Sequence, residues 1–285
     1  MKLYFTKMQA QGNDYVYMDA IHQVIEDPGR LAREVSDRHF GIGADGLVLI
    51  CPSDRADFRM RIFNPDGTEA EMCGNALRST GKFVYMQGLT QKEELKIETL
   101  GGIKRVWLEV KEGMVENICA AIGRPEFTPE KIPVIVEGKY FLDRPLEVAD
   151  RVFRASALSW GNPHVVLFAE DVSTLDLEKY GSLVEHMQCF PRRTNVTFAR
   201  ILDERHIRIR EWERGTGETL ACGTGCCSAA VVANRLGLCA QSVEVWQPGG
   251  QLQVDLNERE GVLMMGPVHF VYQGVYSENI VALET

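Results

Sequence analysis

The sequence predicts an α+β fold of two pseudo-symmetric halves from an internal duplication, each a mainly antiparallel sheet wrapped around a central helix. Three observations carry this expectation. First, short phrases recur at one constant offset of 149 positions. Cys73-Gly74-Asn75-Ala76 is echoed by Cys222-Gly223-Thr224-Gly225, Gly12-Asn13 by Gly161-Asn162, and Arg61-Ile-Phe-Asn64 by Arg210-Glu-Trp-Glu213. Second, polar and apolar residues alternate between turn glycines, the pattern of half-buried antiparallel strands. Third, a helical stretch follows each Cys-Gly pair.

Along the chain, the first helix of this kind runs from Asn75 to about Met86. Residues 103–110 (Ile-Lys-Arg-Val-Trp-Leu-Glu-Val) alternate as a strand. Gly123-Arg-Pro-Glu-Phe-Thr-Pro-Glu-Lys-Ile-Pro133 has no periodicity and carries three prolines, which suits a linker. The second helix, Thr224 to Leu236, is small or apolar nearly all round and is expected to be buried. Residues 243–256 form a hairpin around Pro248-Gly249-Gly250, and the sheets are expected to be meanders rather than parallel crossovers. After Met265-Gly266-Pro267 too few residues remain for a domain, and Val-His-Phe-Val-Tyr predicts a strand that returns to pair with the first half. The domains are therefore expected at 1–123, completed by 272–285, and at 124–271.

Composition narrows the function classes. The 285 residues suit two domains of ordinary size, and 45% hydrophobic with 25% charged residues is a globular composition. A net charge of −9 without a basic stripe repels phosphate backbones and anionic lipid, so neither nucleic acid nor membrane is an expected partner. The first ten residues, Met-Lys-Leu-Tyr-Phe-Thr-Lys-Met-Gln-Ala, lack the apolar core of a signal peptide, and a cytoplasmic location is expected.

The eight cysteines are not spaced as a disulfide framework. Cys51, Cys119, Cys189 and Cys239 read as small buried hydrophobes. Cys222, Cys226 and Cys227 lack a second Cys/His cluster at ligand spacing, the nearest histidine being His206, so no metal is expected.

A cysteine opening a helix lies beside unpaired backbone N–H groups and the positive end of the helix dipole. Both stabilise a thiolate and a bound carboxylate. Two such sites suit an amino acid whose α-carbon lies between two sulfurs. One thiolate removes the α-proton and the opposite thiol returns a proton to the other face, with no cofactor. Because the α-proton is far less acidic than a thiol of ordinary pKa ~8.5, donors aimed at the carbanion-like state must supply most of the help.

Met8-Gln-Ala-Gln-Gly-Asn13-Asp14, Arg38-His39-x-Gly41-Ile-Gly-Ala-Asp45-Gly46, Phe63-Asn64-Pro-Asp-Gly67, Cys73-Gly74-Asn75-Ala76-x-Arg78, Gly161-Asn162-Pro163-His164, Asn195-Val196 and Glu213-Arg214-Gly215-x-Gly217-Glu218-Thr219-x-Ala221-Cys222-Gly223-Thr224-Gly225 stand in this order over nearly the whole chain. The set resembles the diaminopimelate epimerases. The resemblance implies a cofactor-independent homodimer that interconverts LL- and meso-2,6-diaminopimelate in the synthesis of lysine and cell-wall precursor. It implies that Cys73 and Cys222 are the acid/base pair, Cys222 acting on the LL isomer. It also implies that Asn13, Asn64, Asn162, Asn195, Glu213 and Arg214 bind substrate. Gly74, Asn75, Gly223 and Thr224 would cradle its carboxylate, and His164 and Glu213 would tune the thiols.

Each of these residues also has a plain structural reading. Asn13, Asn64 and Asn195 are of a type that caps turns, His164 of a type that bonds a backbone carbonyl in a core, and Arg214 of a type that is solvated. Arg78 reads as structural, and Cys226 and Cys227 as packing for the second helix. Gly46 stands where some family members carry glutamine, which leaves open a racemase of another amino acid, of the histidine or proline type. A thiol hydrolase or redox protein, or a metal-binding module, is the alternative from another class.

Overall fold

The computed structural model describes residues 2–277. The chain divides into two compact units, one running to Ala120 and resuming at Pro267, the other spanning Ala121–Gly266. The first holds β1 (Lys2–Ala10), β2 (Asn13–Asp19), α1 (Pro28–Ser36), β3 (Leu47–Cys51), β4 (Phe58–Phe63), β5 (Glu69–Ala70), α2 (Gly74–Met86), β6 (Glu94–Thr99), β7 (Gly102–Lys111) and most of β8 (Met114–Gly123). The second holds β9 (Arg144–Val148), β10 (Arg151–Ser159), β11 (Pro163–Phe168), α3 (Leu177–Glu185), β12 (Asn195–Ile201), β13 (His206–Glu213), β14 (Gly217–Thr219), α4 (Gly223–Arg235), β15 (Ser242–Gln247), β16 (Gly250–Asn257) and β17 (Gly261–Gly266). The last strand, β18 (His269–Ser277), belongs to the first unit and pairs antiparallel with β1. Of the returning segment expected at 272–285, residues 278–285 lie outside the described residues.

The duplication is written in the strand register. β2 and β3 pair with Val16 opposite Leu47, and β11 and β12 with Val165 opposite Val196, each 149 positions on. Leu47 faces Phe63 as Val196 faces Trp212, and Ile62 faces Ala70 as Glu211 faces Thr219. A bidentate Arg61–Glu69 ion pair ties β4 to β5, and Arg210–Glu218 ties β13 to β14 at the same offset.

Within each unit the strands pair mainly antiparallel, but neither set is a pure meander. β2–β3 and β4–β6 run parallel, as do β11–β12 and β13–β15. Each parallel step encloses a helix, because a same-direction return needs a long crossover.

The helices fall into two kinds. α1 and α3 begin conventionally. Asp27 accepts from Arg30 N at 2.9 Å and Asp176 from Lys179 N at 3.0 Å, and each helix buries one apolar stripe. α2 and α4 are buried over most of their length and pack on several strands of their own unit. Gly81 is glycine because a Cβ there would lie 2.8 Å from Val106 Cγ1 of β7. In α4, Cys226 and Cys227 are fully buried, as expected of packing residues. Each unit has an apolar cluster of its own residues. Leu3, Val16, Leu31, Val35 and Leu49 belong to one, and Phe153, Val165, Val184, Phe190 and Phe198 to the other.

The expected linker at 123–133 is packed structure. Phe127 and Ile132 are buried, and residues Pro129–Lys131 make a 3-10 turn. The Glu126 carboxylate accepts from the backbone N–H groups of Phe127 and Thr128 and from the Thr128 hydroxyl. The prolines thus preset φ for a turn that side chains then pin.

Candidate active site

Each unit brings one of the expected cysteines to the N-cap of its buried helix. Cys73 caps α2 and Cys222 caps α4, both in extended backbone, and their carbonyls accept the first helical bonds from Leu77 and Cys226. No Asp or Ser side chain caps either helix: α2 has no side-chain cap and α4 has only the Cys222 sulfur. Gly74 and Gly223 are the first helical residues and both are buried.

Around Cys73 the structure gathers Asn13, Asn75 and a residue that sequence reasoning missed, Tyr15. The Tyr15 hydroxyl donates to Cys73 Sγ across 3.8 Å, and the thiol lies 3.7 Å from Asn13 Oδ1. Burial, and then the nearby Cys73, push the Tyr15 phenol well above its usual range, so it remains a donor. Asn13 Oδ1 also accepts from Asn75 Nδ2 at 3.2 Å, while Asn13 Nδ2 donates to Asp45 Oδ2 at 2.8 Å. Asn13 sits here because β1 and β2 join through Gln11 and Gly12, both at positive φ, a tight turn that returns the chain beside α2. Arg78, fully buried in α2, donates to Gln11 Oε1 at 2.8 Å and Asn75 Oδ1 at 3.0 Å, which supports its structural reading.

Asn64 is not among these contacts. It sits in the β4–β5 turn, where its Nδ2 donates to Thr68 Oγ1 at 3.0 Å. Gly46 has a steric origin. A Cβ there would lie 2.3 Å from Phe63 O and 3.0 Å from the Tyr15 ring, so glutamine does not fit this backbone.

Around Cys222 the sulfur itself caps the helix, accepting from Gly225 N at 3.3 Å, and it lies 3.5 Å from Thr224 Oγ1. Burial, then the charges of Glu213 and Glu211, push the thiol well above its ordinary pKa. Thr224 and the Gly225 N–H pull the other way and lose. The helix start alone therefore does not make Cys222 a thiolate.

His164 is fully buried, and burial followed by the Arg214 charge drives its pKa down to about 3, so the ring is neutral. Asn195 is held on two sides, its Oδ1 accepting from Arg214 N at 2.9 Å and its Nδ2 donating to Pro163 O at 3.1 Å. The same Nδ2 lies 3.4 Å from His164 Nε2, which makes Nε2 the acceptor and leaves the ring proton on Nδ1. Glu213 accepts from Thr219 Oγ1 at 2.6 Å. The Arg214 guanidinium donates to Arg192 O at 3.3 Å, and the residue is exposed. Asn162 lies in the β10–β11 turn, where its carbonyl accepts from Trp160 N.

Two residues near Cys222 were not anticipated. Gln247, at the end of β15, accepts the Cys222 backbone N–H at 2.9 Å. Glu211, only 2% exposed, lies in β13 with its Oε1 3.8 Å from His164 Nδ1. A signal for Glu211 was present, since it continues the buried alternation of Ile207 and Ile209. Among the described residues no group of three His, Cys, Asp or Glu side chains is placed to hold a metal ion, and no helix is long and apolar enough to cross a membrane.

Sequence comparison matches the family described as "Diaminopimelate epimerase" over residues 5–127 and 156–271. The diaminopimelate epimerase of Acetivibrio thermocellus is 45% identical over 276 residues, covering 96% of this chain and 99% of its own. That of Methanococcus maripaludis strain C5 is 46% identical over 271 residues, covering 95% and 98%. Among solved structures, a hydroxyproline epimerase from Agrobacterium vitis superposes with a TM-score of 0.71 at 15% identity, covering 96% of this chain and 92% of its own. A PhzF-family protein from Bacillus anthracis gives 0.70 at 21%, covering 97% and 99%. At such identities these two structures speak for the fold alone.

Proposed function

Since this chain belongs to the diaminopimelate epimerase family, we propose that its two N-cap cysteines invert one α-carbon of 2,6-diaminopimelate, interconverting the LL and meso isomers as a step of lysine biosynthesis. The observation that supports the chemistry is the repeated one. Each unit presents a thiol at the start of a buried helix, with equivalent register around it.

One sulfur, as thiolate, takes the α-proton and becomes a thiol. The other, as thiol, gives its proton to the opposite face and becomes the thiolate. The centre is inverted, and the protonation states of Cys73 and Cys222 have exchanged. The barrier is the acidity of the α-carbon, and it falls when negative charge moving onto the substrate carboxylate meets donors already oriented. Gly74, Asn75, Gly223 and Thr224 at the helix starts are proposed as those donors. Asn13 is placed beside one sulfur, and Asn195 positions the Glu213-Arg214 turn. Asn64, Asn162, Glu213 and Arg214 are proposed to recognise the remainder of the substrate, with the acceptor of Glu213 and the donors of Arg214 suited to a distant amine and carboxylate. His164 and Glu213 are proposed to tune the Cys222 thiol, His164 as a neutral ring.

The assembly proposed is a cytoplasmic homodimer. Exposed Tyr4, directly opposite exposed Val275 in the β1–β18 pair, supports an apolar contact on the first unit.

Incubation with LL-diaminopimelate in heavy water tests the reading. Deuterium is expected at the α-carbon together with the meso isomer. Deuterium entry into hydroxyproline or histidine, and not into diaminopimelate, would reassign the substrate.

A further inference from the structure

We propose that Glu211 is a positioning residue of the reaction, setting through its own charge and through the Gly225 peptide the pH at which the Cys222 sulfur exchanges its proton. This rests on the reading of Cys222 as an acid/base group.

The geometry is specific. The Glu211 carboxyl fills the space a side chain at residue 225 would need. A Cβ on Gly225 would lie 2.5 Å from its Oε2 and 2.8 Å from its Cδ, and Gly225 N is the donor to Cys222 Sγ. The group therefore lies directly behind the peptide that stabilises the sulfur. Groups facing it come from four elements. They are the neutral His164 of β11, the Thr197 hydroxyl of β12, Glu213 on its own strand β13, and Cys222 at the start of α4. Among the described residues no Lys or Arg is paired with it, and Arg214 acts on the neighbouring His164 instead.

Burial, helped by the Glu213 charge and opposed by Thr197 and Cys222, pushes the Glu211 carboxyl up to about 8. With His164 deprotonated and Glu211 protonated, the pair at 3.8 Å is a neutral couple at neutral pH and not an ion pair. Above pH ~8 the group becomes a carboxylate behind the sulfur and opposes the second negative charge of a thiolate. The first unit has no such device, because the position 149 residues earlier is Ile62, buried and apolar. The duplication has thus been made chemically unequal at one thiol.

Site-resolved alkylation of the full-length protein by iodoacetamide, followed by peptide mass spectrometry from neutral to alkaline pH, tests this without relying on turnover. In Glu211→Gln the alkylation midpoint of Cys222 is expected about one pH unit below wild type, with Cys73 unmoved in the same digest and with Glu211→Asp close to wild type. A Cys222 midpoint equal in Glu211→Gln and wild type overturns the proposal. If Glu211→Gln does not fold, an infrared titration of the wild-type protein decides. A protonated carboxyl that persists at neutral pH and is lost near pH ~8 supports it, and the absence of such a group at neutral pH overturns it. Full turnover in Cys222→Ala would sink the underlying reading instead, whatever the alkylation shows.

Discussion

Gln247 Oε1 accepts the backbone N–H of Cys222 at 2.9 Å, so the N-cap of α4 is anchored by a side chain from the end of β15. The strand ending at the equivalent place in the first unit is β6. Its last residue, Thr99, instead turns its hydroxyl to Gly102 O at 2.7 Å. The hairpin that follows each of these strands thus starts from a different side chain, an amide in one unit and a hydroxyl in the other.

Replacing Gln247 with Leu leaves a buried N–H without its acceptor. A loss of about 1–3 kcal/mol is expected in urea unfolding, with a fall in kcat/KM as the Cys222 backbone loosens. Unchanged stability would mean that water or relaxation replaces the bond.

Either Cys73→Ala or Cys222→Ala is expected to lower epimerisation by at least ~10²–10⁴-fold, the contribution of one acid/base group. The measure is conversion of LL to meso substrate. A hydrolase or redox protein using Cys222 alone would keep its activity in Cys73→Ala.

Gly46→Ala places a Cβ 2.3 Å from Phe63 O, a backbone atom of β4 that cannot swing away. A loss of about 3 kcal/mol is expected, near the upper end of overpacking costs, and is read as a lower thermal midpoint. Because Tyr15 borders the same space and donates to Cys73, activity should fall further than stability alone explains.

His164 gives an acid dependence whose sign follows from burial. Its pKa falls from an ordinary 6.5 to about 3, so above 6.5 neither folded nor unfolded chain carries the proton. Below 6.5 the unfolded chain takes up a proton that the folded ring refuses, and stability declines until about pH 3. The slope from this residue is at most about 1.4 kcal/mol per pH unit, and His164→Gln should flatten it in urea unfolding measured across this range.

Much of the architecture is legible in the 149-residue offset, since Cys73 and Cys222, Arg61 and Arg210, and the flanking strand registers all obey it. The all-round apolar character of Thr224–Leu236 likewise announces a buried helix. The parallel pairs were not legible, because period-two alternation marks a strand without saying which neighbour it meets or in which direction. Tyr15, Glu211 and Gln247 escaped for a related reason. Tyr15 and Gln247 come to their cysteines from 58 and 25 residues away, and Glu211, only 11 positions before Cys222 and in step with buried Ile207 and Ile209, carries a charge that locally suggests the surface. Asn64 shows the converse, a candidate side chain that the structure finds bonded within its own turn.

The pairing of β18 with β1 also sets an order of events during synthesis. The second unit is continuous in sequence and is complete once Gly266 has left the ribosome. The first, although it emerges earlier, waits with β1 lacking one neighbour until residues 269–277 have followed the entire second unit out. Nascent chains stalled after β17 should therefore protect α4 from proteolysis while β1 is still open to it, so the half made first is the half finished last.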